Sequence, residues 1–120
     1  MKLAFGVLMA SLTLSVAPGT QPEVYSPGNG VTLPVVVRDV KPQYTDGAMK
    51  ARIEGTVVLE SVVLADGTVG EVRVVQSLDS VYGLDEQAMK AMKQWRFKPG
   101  TKEGKPVAVR ISCEMSFRLK

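Results

Sequence analysis

The side chains that most often carry out chemistry are scarce in this sequence. It contains no histidine, which removes histidine-based triads, histidine general bases and histidine metal ligands. Cys113 is the only cysteine, so neither an internal disulfide nor a cage of thiolates around a metal can form. Because Cys113 falls on the apolar side of an alternating pattern, we predict a buried, unreactive thiol. No metal or cofactor site is expected.

Three acidic residues, Asp79, Asp85 and Glu86, are candidates for a catalytic carboxylate pair. Nothing in their spacing places them together in a cleft, and Asp85 suits the start of a helix, where side-chain oxygens bond free backbone N–H groups. Serine nucleophiles would lack a histidine partner. Gly28-Asn29-Gly30 lacks the lysine and the following helix of a phosphate-binding loop. We therefore expect a protein that is not an enzyme.

The basic residues form one cluster, Lys90, Lys93, Arg96 and Lys98. A solvated helix face is the favoured interpretation, and contact with an acidic partner is the second. Nucleic acid is disfavoured, because the formal net charge is only +3 and the β-rich segments offer almost no aromatic rings for bases to stack on. Trp95 lies on the apolar side of the same helical pattern and is expected in the core rather than exposed as a binding hot spot.

Length and composition indicate one globular domain behind an export segment. The chain has 120 residues, of which 45% are hydrophobic, enough for one modest core. Residues 1–19 combine one lysine, an apolar run and small residues, which favours a cleaved signal peptide over a short membrane anchor. Residues 20–30 are rich in proline and glycine and are predicted to be a linker. The folded domain is expected over residues 31–120.

Two β-rich runs, 56–64 and 69–76, flank Asp66-Gly67. An Asp-Gly pair between such runs predicts a β-hairpin with a type I′ turn, in which both central residues have a positive φ. A third β-rich run at 31–37 contains Pro34, which is typical of an edge strand.

Two helices are predicted around this hairpin. Thr45 is a candidate N-cap for a short first helix that ends by Gly55. Apolar residues then recur at helical spacing from Leu84 to Trp95, with acidic residues early and basic residues late. We predict that this second helix continues until Pro99-Gly100 ends it.

The last segment has the clearest pattern in the chain. Seven apolar residues alternate with polar or small ones from Val107 to Leu119, which predicts a long strand with one buried and one solvated face. The order of elements indicates an α+β fold, a small three- to four-stranded antiparallel sheet with two helices packed on one face. If the last strand lies at the sheet edge, its unpaired N–H and C=O groups can bind an extended peptide by strand addition.

Five strings of residues occur in an order that is specific as a set, although each string alone is weak. They are Lys41-Pro42-Gln43-Tyr44; Arg52-Ile53-Glu54-Gly55-Thr56-Val57; Asp66-Gly67 with Val69 and Val72; Leu84-Asp85 with Ala88, Ala91 and Trp95-Arg96-Phe97-Lys98-Pro99; and Gly104-Lys105-Pro106-Val107 with Phe117. Together they resemble the C-terminal domain of the TonB energy-transducer family. The resemblance covers residues 34–119.

This resemblance implies a three-stranded sheet with two helices in a periplasmic protein, either exported or anchored in the inner membrane. It also implies a partner, the short TonB-box peptide of outer-membrane active transporters for iron complexes or vitamins, which adds as a strand beside the last strand. The docking residues implied by analogy belong to the first string and to the last strand. They are Lys41, Pro42, Gln43, Tyr44, Val107, Ala108, Val109, Arg110, Ile111, Ser112, Cys113, Glu114, Met115, Ser116 and Phe117.

The sequence also departs from the family pattern. Full-length transducers carry a histidine in a membrane helix, used against inner-membrane motor proteins, and a long proline-rich spacer, whereas this chain has no histidine and a short predicted linker. Lys41 stands where the family usually has glutamine, and Thr45 where it has proline. The missing histidine and the short linker argue against coupling to the motor proteins, whereas Lys41 and Thr45 argue against the family's usual fine selectivity for the peptide. The alternative is a stand-alone envelope interaction module that binds other periplasmic proteins or forms a homodimer through its strand edges.

Overall fold

A computed structural model of the protein describes residues 23–119. The predicted signal peptide or anchor, residues 1–19, and the first residues of the predicted linker lie outside the described residues. Within the described chain, none of the helices has the length and apolar character needed to cross a membrane. The elements in chain order are β1 (Val24–Tyr25), β2 (Val35–Arg38), α1 (Asp46–Lys50), β3 (Gly55–Val63), β4 (Val69–Gln76), α2 (Leu84–Lys93), β5 (Arg96–Lys98), β6 (Thr101–Lys102), β7 (Lys105–Pro106) and β8 (Ala108–Phe117).

Three long strands form the main sheet. β3 pairs antiparallel with β4 on one side and with β8 on the other, and β1 adds to the far side of β8. The α+β prediction is therefore confirmed. The fourth strand, however, runs parallel to β8 and has only two residues, Val24 and Tyr25. These two residues belong to the predicted linker, so part of that segment is attached to the sheet.

The predicted β3–β4 hairpin is present, but its turn is not type I′. Gly67 has a φ of 87°, whereas Asp66 keeps a negative φ. The Gly67 N–H donates to the Leu64 carbonyl and the Leu64 N–H to the Thr68 carbonyl, both at 2.8 Å. This is the pattern of a type I turn followed by a glycine bulge. The Asp66 carboxylate also accepts hydrogen bonds from the Thr68 N–H at 3.0 Å and the Thr68 hydroxyl at 2.6 Å, which brace this turn.

Both helices pack on the same face of the sheet, as predicted. Thr45 caps α1, since its hydroxyl accepts a hydrogen bond from the Ala48 N–H at 3.1 Å. Residues opposite one another on β3 and β8, such as Val57 and Met115, point to the helices in alternation with solvated ones. The buried core consists of Ala48, Val57, Leu59, Val63, Leu84, Ala88, Ala91, Met92, Phe97, Met115 and Phe117.

The second helix is shorter than predicted. α2 ends at Lys93 with Gln94 as its C-cap, and the expectation that it continues to Pro99 is wrong. Residues Arg96–Lys98 instead form β5, which pairs antiparallel with β2 to make a separate two-stranded ribbon, named the ribbon. The Phe97 N–H also donates to the Gly67 carbonyl at 2.9 Å. Backbone pairing at long sequence range therefore outweighs the helical pattern.

Residues 24–34, named the strap, cross the start of β8. The Thr32 N–H donates to the Thr101 carbonyl, and the Thr101 N–H donates to the Thr32 hydroxyl, both at 2.8 Å. The Lys102 ammonium lies 4.8 Å from the centre of the Tyr25 ring, a cation–π contact. A Cβ atom on Gly100 would lie 2.4 Å from the Thr32 carbonyl oxygen, so the strap approaches this closely only because residue 100 is glycine.

Candidate functional site

The outer edge of β8 is open over most of its length. On its inner side β8 pairs with β3 in an unbroken register from Gly55 opposite Phe117 to Val63 opposite Val109. On its outer side β1 pairs only with Ala108 and Val109. Among residues 23–119 no strand lies beside Arg110–Phe117, so this stretch can accept main-chain hydrogen bonds from a guest strand.

The opposite edge of the sheet, β4, is protected from such pairing. Its register with β3 is interrupted by irregularities between Val58 and Leu59 and again between Ser61 and Val63. Bulges of this kind twist an edge and disrupt its ladder, and the exposed Glu71 adds charge. The regular edge that β8 presents is thus the better template for an added strand.

A groove of about 490 Å³ runs beside the first half of the open edge. One wall contains Leu33, Pro34 and Val36, and the β8 side contributes Ile111 and Cys113. Two aromatic and three polar residues add to the lining, namely Trp95, Phe97, Glu60, Arg110 and Ser112. Glu60 and Ser112 face each other on the sheet face away from the helices, so the groove curls around the edge and is apolar on one side and polar on the other.

A second groove of about 480 Å³ continues along the other half of the edge. Lys41, Pro42 and Tyr44 form one wall, opposite Met115 and Phe117. The Tyr44 ring packs edge to face on Phe117 with 5.3 Å between centroids, and its hydroxyl donates to the Ile53 carbonyl at 2.6 Å. Burial raises the pKa of Tyr44, so the hydroxyl remains a donor at neutral pH.

Trp95 joins the two grooves, because its side chain lines both. Its indole N–H donates to the Val40 carbonyl at 2.9 Å, which ties the segment 33–44 to the end of α2. The result is one trench between that segment and β8 residues Arg110–Phe117, with Trp95 at its midpoint. Trp95 is half-buried rather than enclosed in the core, so its side chain serves packing and groove at once.

The structure brings most of the predicted docking residues together. Lys41, Pro42 and Tyr44 face the second half of the β8 edge across the trench. Gln43 does not; it lines a separate depression with Gln87, Lys90 and Gln94.

Three predicted docking residues at the start of the last strand lie outside the open edge. Val107 donates its N–H to the Gly100 carbonyl at 3.0 Å, and Ala108 and Val109 are paired with β1. The sequence interpretation also missed trench residues contributed from elsewhere, namely Leu33, Pro34, Val36, Trp95 and Phe97. The only early signal for them was the aromatic pair Trp95 and Phe97 within one of the family strings.

Charged and titratable side chains line part of the trench. Glu60 forms ion pairs with Arg73 and, at 3.7 Å, with Arg110. Burial, helped by the nearby Glu114 charge, raises the pKa of the Cys113 thiol, so it stays protonated and a poor nucleophile at neutral pH. Within residues 23–119 no cluster of three potential metal ligands exists.

The acidic residues considered for catalysis hold a loop in place. The Asp79 carboxylate accepts hydrogen bonds from the N–H groups of Val81 and Tyr82, both at 3.0 Å. The Asp85 carboxylate accepts them from the N–H groups of Leu78 and Asp79, also at 3.0 Å, and from the Ser77 hydroxyl. Each carboxylate thus satisfies backbone groups of the loop ahead of α2. The cap predicted for Asp85 is wrong, because Gly83 is the N-cap of α2 and Asp85 bonds loop N–H groups rather than the free N–H groups of the helix. Asp79 is the residue that reaches the first helical N–H, that of Leu84, at 3.3 Å.

Comparison with known proteins agrees with this architecture. A family model described as the Gram-negative bacterial TonB protein C-terminal matches residues 40–119. The TonB protein of Vibrio cholerae is 39% identical over 89 residues, which cover 72% of this chain and 35% of that protein. The protein tonB2 of Pseudomonas aeruginosa is 37% identical over 78 residues, covering 65% of this chain and 28% of that protein.

A solved structure gives the same result. The solution NMR structure of the Pseudomonas aeruginosa TonB CTD superimposes with a TM-score of 0.58 at 28% identity, covering 80% of this chain and 94% of that one. The chain therefore belongs to the TonB C-terminal domain family, and the resemblance seen in the sequence is confirmed. It spans about a third of the length of the curated TonB proteins that it matches.

Proposed function

We propose that this chain is a non-enzymatic TonB-type binding domain of the periplasm. Its open β8 edge pairs with the TonB-box peptide of an outer-membrane active transporter, in the energy-coupled uptake of iron complexes or vitamins. The observation that carries the proposal is the unpaired stretch Arg110–Phe117, which lies along a trench on the one regular edge of the sheet.

The trench suggests which contacts supply affinity for the guest and which supply selectivity. Main-chain hydrogen bonds to Arg110–Phe117 supply affinity whatever the guest sequence, and alternate guest side chains point to opposite faces of the extended sheet. One set meets the apolar side near Ile111 and Trp95, and the other meets the polar side near Glu60 and Ser112. Guests with alternating apolar and polar residues are therefore favoured.

The two grooves further specify the guest's apolar positions. Their β8 linings are centred on Ile111–Cys113 and on Met115–Phe117, four residues apart. At about 3.3 Å per residue this is about 13 Å, so guest side chains four positions apart enter the two grooves. The guest side chain midway between them lies over Trp95, where a small one fits best.

Peptide titration tests the proposal directly. Labelled TonB-box peptides from transporters of the source organism are added to the full chain, and backbone amide NMR signals are followed. We expect saturable binding with the largest shifts at Arg110–Phe117. A folded domain that shows no binding at millimolar peptide would refute the proposal. A concentration-dependent dimer without peptide affinity would select the dimerisation module in its place.

Cys113 offers a control on register, because its side chain lines the trench. Peptides carrying one activated cysteine at successive positions are incubated with the chain at alkaline pH, which increases the thiolate fraction of Cys113. Strand addition predicts disulfide formation at alternate peptide positions, because those side chains share a face with Cys113. Equal cross-linking at all positions would indicate a guest that is not held as a strand. Cys113→Ser is the matched control.

A further inference from the structure

The outer face of the ribbon, away from the trench, concentrates unpaired positive charge. Register places Arg38 directly opposite Arg96, and Val35 opposite Lys98. Between these pairs Val36 lies opposite Phe97, and both of those side chains line the trench. Side chains alternate along β5, so Arg96 and Lys98 share the face opposite Phe97. The register irregularity between Val36 and Arg38 brings Arg38 opposite Arg96 and so onto that same face. All three cations are exposed.

An anion would relieve the repulsion on this face, although the Arg96 guanidinium already donates to the Lys93 carbonyl at 3.3 Å and to the Trp95 carbonyl at 2.8 Å. Like charges directly opposite on neighbouring strands destabilise the pair. Within residues 23–119 the ion pairs are those of Glu60, so Arg38, Arg96 and Lys98 have no carboxylate within ion-pair distance. The Asp66 carboxylate is held by Thr68, whose hydrogen bonds chiefly lower its pKa, with a smaller effect from the Arg96 charge.

The ribbon also presents features that suit a polypeptide rather than a lipid surface. β2 pairs with β5 on one side, and in the described chain its other edge has no partner. All four β2 residues are exposed, with Val35 and Val37 at 59% and 69%. An extended chain can pair with this edge, cover these valines and carry carboxylates to the cations, whereas a lipid headgroup offers no backbone to pair with.

We propose that the outer face of the ribbon binds an acidic stretch of the same guest polypeptide whose neighbouring strand pairs with β8. This inference rests on the proposed function. It also follows from continuity, because the inner face of the ribbon is a wall of the trench. A guest that leaves the trench beside Pro34 and Val36 needs only to turn around β2 to reach Arg38, Arg96 and Lys98. The partner is thus a strand-forming segment flanked by several aspartates or glutamates.

A capped hexaglutamate peptide is the first probe, with hexaglutamine as its uncharged counterpart. In low salt we expect hexaglutamate to shift the amide signals of 35–38 and 96–98 of the full chain, and hexaglutamine to leave them unchanged. High salt should abolish the effect, because exposed charges are screened. The triple variant Arg38→Gln, Arg96→Gln, Lys98→Gln should not respond.

A matched variant removes the same charge elsewhere. This control variant combines three substitutions at exposed residues outside the ribbon, Lys50→Gln, Arg52→Asn and Lys105→Gln. Asparagine is used at residue 52 because it tolerates the positive φ there. This variant should respond to hexaglutamate like the wild type. Equal loss in both triple variants would reduce the effect to net charge and overturn the proposal. Ribbon shifts with phosphatidylglycerol vesicles but not with hexaglutamate would assign the face to a membrane and also overturn it.

The second probe links the ribbon to the trench. The TonB-box peptide that binds the trench is extended at either end with four glutamates or four glutamines. The glutamate extension at the correct end should bind about tenfold more tightly than the glutamine extension, and the Arg38/Arg96/Lys98 variant should abolish the difference. If all extended peptides bind alike while the unextended peptide still binds, the ribbon inference is wrong and the proposed function stands. If the unextended peptide fails to bind, the proposed function fails.

Discussion

The ring of Tyr44 meets the ring of Phe117 edge to face, with 5.3 Å between centroids and an angle of 81° between planes. Phe117 is the last residue of β8 and lies opposite Gly55 at the start of β3. The Tyr44 hydroxyl bonds to Ile53 just before β3. One tyrosine therefore fixes the segment ahead of α1 against both long strands, and this fixes the width of the second groove.

Removing the hydroxyl should weaken the fold without emptying the groove. Tyr44→Phe keeps the contact with Phe117 but leaves the part-buried Ile53 carbonyl without its 2.6 Å donor. We expect the free energy of unfolding to fall by about 1 kcal/mol, measured by urea denaturation. Tyr82→Phe is the control, since Tyr82 is exposed. Equal effects of the two substitutions would contradict the role assigned to the Tyr44 hydroxyl.

Asp85 should make stability depend on acid pH. Burial alone would raise its pKa, but hydrogen bonds from Ser77 and from the N–H groups of Asp79 and Leu78 outweigh burial and hold the pKa below its usual value. A carboxylate with a lowered folded pKa contributes stability above its unfolded pKa, about 3.9, and loses it as pH falls through the folded value.

The substitution Asp85→Asn tests this dependence. We expect it to cost about 1–3 kcal/mol at neutral pH and to flatten the fall in unfolding free energy below about pH 4. Urea denaturation across this pH range measures both. Glu71→Gln, at an exposed strand position, should preserve the wild-type slope. An unchanged slope in Asp85→Asn would assign the acid sensitivity to other carboxylates.

Adjacent proline substitutions should separate the two edges of β8. Backbone N–H groups of successive strand residues point to opposite sides, so one of Ile111 and Ser112 bonds toward β3 and the other toward the trench. Proline at the outward position should remove guest binding and leave most of the stability, because edge strands tolerate proline. Proline at the inward position should destabilise the fold. The measurements are peptide titration and thermal unfolding, and loss of binding in neither variant would exclude β8 as the docking strand.

The attachment of the strap should depend on the absence of a side chain at residue 100. Gly100→Ala places a Cβ atom 2.4 Å from the Thr32 carbonyl oxygen and 2.7 Å from Val109 Cγ2, so the strap must move. We expect faster amide hydrogen exchange at Thr101, whose N–H bonds to Thr32, and at Ala108 and Val109. Gly104→Asn is the control, because that position is open and its positive φ suits asparagine. Unchanged exchange in Gly100→Ala would mean that the strap does not depend on this contact.

Local patterns predicted the parts of the fold that local residues determine. The alternating pattern up to Phe117 correctly predicted β8, and the Thr45 cap correctly predicted α1. Both signals depend on residues that are neighbours in sequence. The end of α2 was misplaced because Trp95 continues the helical spacing, whereas pairing of Phe97 with Val36 decides the local structure. A pairing between segments so far apart leaves no periodic signal in either one.

The candidate site was predicted only in part, because contacts between distant segments also leave no local signal in the sequence. The family strings pointed to Lys41–Tyr44 and β8, and three of those four residues do face β8. Gln43 instead lines a depression beside α2, with Gln87, Lys90 and Gln94. The blocked start of the edge was not foreseen, since a two-residue strand such as Val24–Tyr25 carries too little pattern to be recognised.

The parallel pairing of β1 with the start of β8 has a mechanical consequence. A pull on the chain before Val24 would load two register pairs first, and these yield well before the long β3–β8 ladder. If these pairs separate, the open edge of β8 lengthens from eight residues to all ten residues of the strand, and the β3–β8 pairing is kept. Tension on the chain before Val24 would thus expose more of the same strand edge for pairing.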